Sequence, residues 1–367
     1  MNQRRTERHK FLVTVENHEM IKVLIVEDSP VMLQLLKNAI CSDPMLAVVG
    51  VASDGKEALE ALKRLHPDII AMDWQMPKLD GLEVTRIIME TTPTPIVIVT
   101  GSDAANDGAV SFRMIEAGAL AIIQQPPGVD HADYKKATKL LTGTLKLMSE
   151  VKLVKRTAST SKERETAKPS VGKFFRTASD IQVVAIGAST GGPNVLQKIL
   201  SGLPKDYPVP FFIVQHIARG FTAGFVEWLQ NTTKFPLHIA THGVHPLPGH
   251  AYVAPDDFHM GIERGPKIVL NHGSLENGLR PSVAYLFRSV AQHFGPNAVG
   301  VLLTGMGRDG ADELKIMKEK GAVTFAQDEE SSIIYGMPGE AIKLNAATYI
   351  LSPEEITVAL TALIKKE

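Results

Sequence analysis

Ile21-Lys22-Val23-Leu24-Ile25-Val26-Glu27-Asp28-Ser29-Pro30 holds the first convincing strand of this chain. Its first six residues form a near-continuous apolar run, the pattern of a strand buried on both faces of a parallel sheet. Two carboxylates stop the run, and Pro30 behind Ser29 starts a helix. Working outward, the same unit recurs. Residues 47–51, 69–72 and 96–100 are further short apolar runs. Between them, apolar residues at helical spacing mark the faces Val31, Leu35, Leu36, Ala39, then Ala58, Leu59, Leu62, Leu65, then Leu82, Ile87, Ile88. A last helix uses Tyr134, Ala137, Leu141, Leu145 and Met148. Strand and helix in alternation imply parallel strands joined by right-handed crossovers.

The alternation resumes at Ile181, with buried-strand runs at 181–186, 211–214 and 299–303, and shows no internal repeat. The chain therefore reads as α/β throughout, in two domains, which suits its 367 residues. The expected boundaries are a loose extension over 1–19, a first domain over 20–149, a basic linker over 150–180 and a second domain over 181–367. The extension lacks periodicity and ends just before Met20, so it reads as a loose extension or as the result of an upstream start codon. The linker places Lys152, Lys155, Arg156, Lys162, Arg164, Lys168, Lys173 and Arg176 among Ser, Thr and Ala. A solvated hinge is the preferred reading over a docking strip for an acidic partner.

Composition narrows the function classes. Hydrophobic residues make up 44% and charged residues 22%, enough for two cores. The 39 basic and 40 acidic residues give a net charge of −1, so nothing draws the whole chain to nucleic acid or an anionic membrane. No stretch is long and apolar enough to enter a bilayer as a spanning helix. The single cysteine, Cys41, excludes an internal disulfide and fits the cytoplasm; its apolar helical setting predicts a buried thiol.

Glu27 and Asp28 follow the first strand, Asp73 follows the third and Thr100 ends the fourth. In an open parallel sheet these carboxyl ends form the ligand crevice. Carboxylates converging there need a cation, and magnesium suits all-oxygen ligands. A carboxylate beside magnesium can attack a phosphoryl group. Val26-Glu27-Asp28-Ser29-Pro30, Asp73-Trp74-Gln75-Met76-Pro77 with Asp80-Gly81, and Val99-Thr100 together resemble a response-regulator receiver domain over about residues 21–145. The resemblance implies a flavodoxin-like fold and Asp73 as phosphoacceptor, with a histidine kinase as donor. It also implies Mg2+ held by Glu27, Asp28, Asp73 and the Gln75 backbone carbonyl, and Thr100 bonding the phosphoryl group. Two positions depart from the family: Gln125 replaces the usual lysine, and Ile122 the usual aromatic residue.

In the second domain Gly187-Ala188-Ser189-Thr190-Gly191 follows a strand and opens a helix. A dinucleotide fingerprint needs glycine at Ser189, and a P-loop needs a lysine after its closing glycine, so both fail. A nucleophile turn fits, and tight packing of small residues explains the same glycines. His216 ends the strand 211–215, and Asp309 lies just past the strand 299–303. Serine needs a base, imidazole can be one, and aspartate fixes its tautomer. The order Ser, His, Asp differs from that of the α/β-hydrolases. His238, His242, His245, His250, His259 and His272 crowd one region, but glycine and proline around them oppose a metal-binding helix.

Residues 185–192, Gln215-His216 with Phe221-Thr222, 249–255 with Asp257 and His259, Arg280-Pro281-Ser282, 303–310 and Tyr335-Gly336-Met337-Pro338 resemble the catalytic domain of the chemotaxis protein-glutamate methylesterases, from about 181 to 365. This resemblance implies a doubly wound parallel-sheet domain with Ser189 as nucleophile, His216 as base, Asp309 as its orienting acid and the Met306 amide as an oxyanion donor. The implied substrates are glutamate methyl esters and glutamine amides on methyl-accepting chemoreceptors, with no cofactor for the esterase step. Ile217-Ala218 and Ala284 depart from the family pattern. The rival class, a receiver joined to an inactive binding scaffold, is opposed by the intact Ser189, His216 and Asp309.

Overall fold

The computed structural model describes residues 20–77, 79–101, 108–151 and 181–364. The expected extension over 1–19 and nearly all of the basic linker, 152–180, lie outside the described residues. The first domain runs β1 (Ile21–Val26), α1 (Pro30–Cys41), β2 (Leu46–Ala52), α2 (Gly55–Leu65), β3 (Ile69–Met72), α3 (Gly81–Thr91), β4 (Ile96–Thr100), α4 (Gly108–Ala117), β5 (Ala121–Gln124) and α5 (Tyr134–Ser149). Its five strands are all parallel in the order β2-β1-β3-β4-β5, so the order reverses between β1 and β3. The apolar run of β1 is buried from Val23 onward, as are β3 and β4 throughout. Side-chain caps set the helix starts: Ser29 accepts from the Met32 amide, Asp54 from Lys56 and Glu57, and Asp80 from Glu83. Each such cap is worth about 1 kcal/mol.

Two expectations on α1 need correction. Val31 is 81% exposed, and Cys41 is exposed. The buried face is Leu36, Ala39 and Ile40, with Met32 and Leu33 half-buried beside it. Cys41 follows Ile40 by one residue, about 100° around the helix, and so points away from the core.

The second domain contains β6 (Val183–Ala188), α6 (Gly192–Gly202), β7 (Phe211–Gln215), α7 (Thr222–Thr233), β8 (Leu237–Ile239), β9 (Ala251–Val253), β10 (His259–Glu263) and β11 (Lys267–Asn271). It continues through α8 (Val283–His293), β12 (Ala298–Leu302), α9 (Ala311–Glu319), β13 (Val323–Gln327), α10 (Met337–Lys343), β14 (Tyr349–Leu351) and α11 (Pro353–Ile364). Seven parallel strands follow the order β14-β13-β12-β6-β7-β9-β8. The chain leaves β6 toward β7 and returns on the other side at β12, so this sheet also has a switch point, at its central strand. An antiparallel hairpin, β10–β11, lies outside the sheet and packs under α8. Among the described residues no helix is long and apolar enough to cross a membrane.

The two domains touch. The Phe112 ring on α4 lies 5.2 Å from Phe225 and stacks 5.4 Å from Trp228, both on α7. All three are buried. At the start of α6 the Asn194 amide donates to the Ile115 carbonyl of α4 at 3.5 Å.

Candidate functional sites

The sheet of the second domain brings three predicted side chains to one edge: Ser189 follows β6, His216 follows β7 and Asp309 lies beyond β12. His216 donates its amide to the Ala188 carbonyl at 2.9 Å, which seats it beside the Ser189 turn. The buried Gln215 fastens the two together, its Nε2 donating to the carbonyls of both Ser189 (2.8 Å) and His216 (2.9 Å). The Ser189 amide donates to Thr304, tying β6 to the loop that carries Met306 and Asp309.

That loop approaches Ser189 closely because residue 305 is glycine. A Cβ there would stand 2.6 Å from the Ser189 Cβ and 2.5 Å from the Met337 sulfur. Gly305 donates to Ile334 and accepts from Met337, so the backbone around Met306 is held from both sides. Met306 is 56% exposed, so this part of the loop lies at the surface. Gly191, at φ +80°, lets the chain turn from Ser189 into α6 under Ile333.

His216 Nε2 lies 2.9 Å from Asp309 Oδ2. A buried carboxylate takes the proton-bearing nitrogen, so Nδ1 is the ring nitrogen left to accept a proton. Asp309 also accepts from the Val283 amide (2.7 Å, Oδ2), the Ser282 hydroxyl (2.8 Å, Oδ1), the Asn277 amide (3.0 Å, Oδ1) and the Ala284 amide (3.2 Å, Oδ1). Ser282 is the N-cap of α8 but makes no cap bond of its own; Asp309, from a distant loop, caps that helix instead. Burial pushes the Asp309 carboxyl up, but the hydrogen bond and charge of His216, with bonds from Asn277 and Ser282, outweigh it and hold it below the usual carboxylate range. Asn277 was not foreseen, because it lies 32 residues from its partner; the Asn-Gly turn signal at 277–278 was its only mark.

Around this centre, Asp256 binds the Gly220 amide and the Thr222 hydroxyl, and Asp257 pairs with Arg219 at 2.8 Å. The histidines serve separate local contacts. His259 bonds the Ser274 carbonyl and stacks on Tyr285, His242 bonds the Leu270 amide, and His238 and His250 bond each other at 2.8 Å.

In the first domain Glu27, Asp28 and Asp73 bring one carboxylate oxygen each within 4.8 Å of the others. Glu27 and Asp73 are buried and Asp28 is exposed. Burial raises Glu27 to about 7, aided by Asp73 and Asp28 and opposed by the Ser29 amide. Burial likewise raises Asp73 to about 6, aided by Asp28 and opposed by the Gln75 and Trp74 amides. A hard, all-oxygen, charge-strained cluster of this kind fits a divalent cation such as Mg2+. Gln125 reaches Glu27 at 3.4 Å with a neutral amide, and its backbone amide bonds Thr100, which is 1% exposed. Ile122 sits half-buried on β5, paired with Ile98.

Comparison with known proteins identifies the family of each domain. The family profile described as CheB methylesterase matches residues 184–360, and that of the response regulator receiver domain matches 23–132. A protein-glutamate methylesterase/protein-glutamine glutaminase of Nitrosospira multiformis is 50% identical over 345 residues, 94% of this chain and 97% of that protein. One of Syntrophus aciditrophicus is 52% identical over 346 residues, 94% of this chain and 98% of that protein. The crystal structure of the Thermotoga maritima CheB methylesterase catalytic domain is 34% identical, covering 50% of this chain and 99% of that one, with a TM-score of 0.49.

Proposed function

Since the chain belongs to the family of receiver-linked protein-glutamate methylesterase/protein-glutamine glutaminases, we propose that it hydrolyses glutamate γ-methyl esters, and deamidates glutamines, on methyl-accepting chemoreceptors in the cytoplasm. The observation that carries this is the His216–Asp309 hydrogen bond at 2.9 Å beside the Ser189 turn, at the switch point of the sheet.

The Ser189 hydroxyl attacks the ester carbonyl as His216 Nδ1 takes its proton. Asp309 keeps Nε2 protonated and stabilises the imidazolium. The Met306 amide donates to the oxyanion of the tetrahedral intermediate. Imidazolium then protonates methoxide, methanol leaves, and an acyl-enzyme remains on Ser189. Water, deprotonated by His216, hydrolyses it to free glutamate; a glutamine substrate releases ammonia by the same route. Ser189→Ala is expected to abolish methanol release from methylated receptor and labelling by a fluorophosphonate. Persistence of either in the variant sinks the assignment to Ser189, and absence of both from the unmodified protein favours an inactive scaffold.

In the receiver, Asp73 accepts a phosphoryl group from a histidine kinase. Mg2+, held by Glu27, Asp28, Asp73 and the Gln75 carbonyl, would offset the charge that develops there. Thr100 bonds the phosphoryl oxygens. The packing of α4 on α7, with Ile115 bonded to Asn194 five residues past Ser189, supports a receiver that restricts substrate access. Phosphorylation weakens that contact. Gln125 supplies no cation and Ile122 no ring, so the phosphoryl group shifts this equilibrium less than in relatives with lysine and an aromatic there.

A further inference from the structure

We infer that Asn277 is a positioning residue for the esterase reaction, fixing the Asp309 carboxylate so that Oδ2 faces His216. This rests on the triad reading given above.

A carboxylate plane can rotate about its Cβ–Cγ bond, so the donors around Asp309 decide whether an oxygen points at the imidazole. Val283, Ala284 and Ser282 donate from the first turn of α8, and His216 donates from the end of β7. Asn277 is the donor from a further segment, and it binds Oδ1 at 3.0 Å, the oxygen that His216 does not use. The two α8 amides take one oxygen each, and the Ser282 hydroxyl and the Asn277 amide hold Oδ1 from two different segments. Asn277 resists rotation of the carboxylate about its Cβ–Cγ bond.

The arm that carries Asn277 is rigid. Glu276 and Leu279 exchange two backbone hydrogen bonds, at 3.1 and 2.8 Å, across Asn277 and Gly278. Both central residues have positive φ, +52° and +78°, the geometry of a tight hairpin turn. The Arg288 guanidinium holds both Glu276 oxygens at 2.5 Å and also reaches Glu313 at 3.4 Å. Glycine or aspartate would adopt this left-handed backbone too, so the turn itself does not require an amide donor. Asn277 is exposed, while Asp309 is 2% exposed, so the amide forms part of the cover over the carboxylate.

Removing the amide has two separable consequences. The carboxylate gains freedom, which lowers kcat. It also keeps more charge for the imidazolium, which makes His216 more basic and moves the acid limb of the pH–rate profile to higher pH.

The test uses the full-length protein and methylated receptor, comparing kcat, KM, thermal stability and the pH profile of kcat/KM in Asn277→Gly and Asn277→Asp. Asn277→Gly keeps the turn, and is expected to lower kcat roughly ten- to a hundredfold, with KM nearly unchanged and the acid limb displaced upward. Asn277→Asp sets a second carboxylate against Asp309 and is expected to displace the limb further. A normal kcat and acid limb in Asn277→Gly overturns the inference, as does a loss of activity that tracks lost stability with the limb unmoved. Ser189→Ala, run in parallel, separates the failures: if it stays active the triad reading falls, and if it is dead while Asn277→Gly behaves as wild type, only Asn277 is wrongly placed.

Discussion

The two domains place a buried aspartate at the same kind of address, beyond a parallel strand where the strand order reverses, and give it opposite environments. Asp73 stands 8% exposed among carboxylates, and burial lifts its pKa to about 6. Asp309 is more deeply buried, at 2% exposed, yet its pKa is held below the usual carboxylate range. Burial therefore does not decide the charge; the donors do. Asp309 collects five of them, including two free amides of a helix N-terminus. Asp73 has the Trp74 and Gln75 amides and negative neighbours, an arrangement that could hold a cation. The donors around one aspartate favour its ionised form, and the carboxylates around the other favour its neutral form.

The comparison breaks most visibly in activity. Asp309→Asn removes the anion that stabilises the imidazolium and favours the wrong tautomer. It is expected to lower kcat by roughly 10³–10⁴-fold, and a steady-state methanol assay measures it. Asp73→Asn should leave the unphosphorylated esterase within about twofold of wild type, since the change lies in the other domain. A large basal loss there would show that Asp73 also supports the esterase site.

A second contrast concerns control. Adding a beryllofluoride phosphoryl mimic with Mg2+ is expected to raise esterase turnover only a few-fold, and Gln125→Lys to enlarge that ratio by supplying the missing charge. Equal, large activation in both proteins would mean that the cation is dispensable.

Stability should separate the sites in sign. Asp309→Ala leaves the Ser282 hydroxyl and the Val283 and Ala284 amides without their acceptor, at a cost of about 1–3 kcal/mol. Asp73→Asn, in chelator, relieves the repulsion from Asp28 and Glu27 and is expected to stabilise the receiver. Calorimetry of the two variants decides whether the signs differ.

The smallest effect is in pH. Glu27 rises from 4.5 to about 7 and Asp73 from 3.8 to about 6 on folding, so the folded receiver binds protons more tightly than the unfolded chain. The stability these groups contribute is fully present below the unfolded values of 3.8 and 4.5 and is lost as pH rises from there through the folded values of about 6 and about 7. In chelator, the receiver transition is expected to fall by roughly 3–6 °C between the low and high sides of that window. Mg2+, which binds the ionised form, should reverse this loss. A receiver that gains stability with pH in chelator contradicts the reading.

Much of this was legible in the chain. Buried parallel strands declare themselves as unbroken apolar runs such as 21–26 and 211–214, and the residue after each strand end is placed by the fold class itself. That is why Glu27, Asp73, Ser189, His216 and Asp309 could be placed beyond strand ends from order and spacing alone. Helix faces were less secure at their ends. An isolated apolar residue in a terminal turn has no neighbour on one side to phase it, so Val31 and Cys41 were assigned inward although they face out. The hairpin β10–β11 went unrecognised because polar residues at both ends of its strands, His259 and Glu263, Lys267 and Asn271, break up the apolar run. The contact of Phe112 with Phe225 and Trp228, and the bond from Asn277 to Asp309, were beyond reach. Local pattern reports which face of an element is apolar and where an element ends. It does not report which distant surface meets that face, or which donor turns toward a carboxylate, because those depend on the relative placement of whole elements, fixed only when the chain has packed.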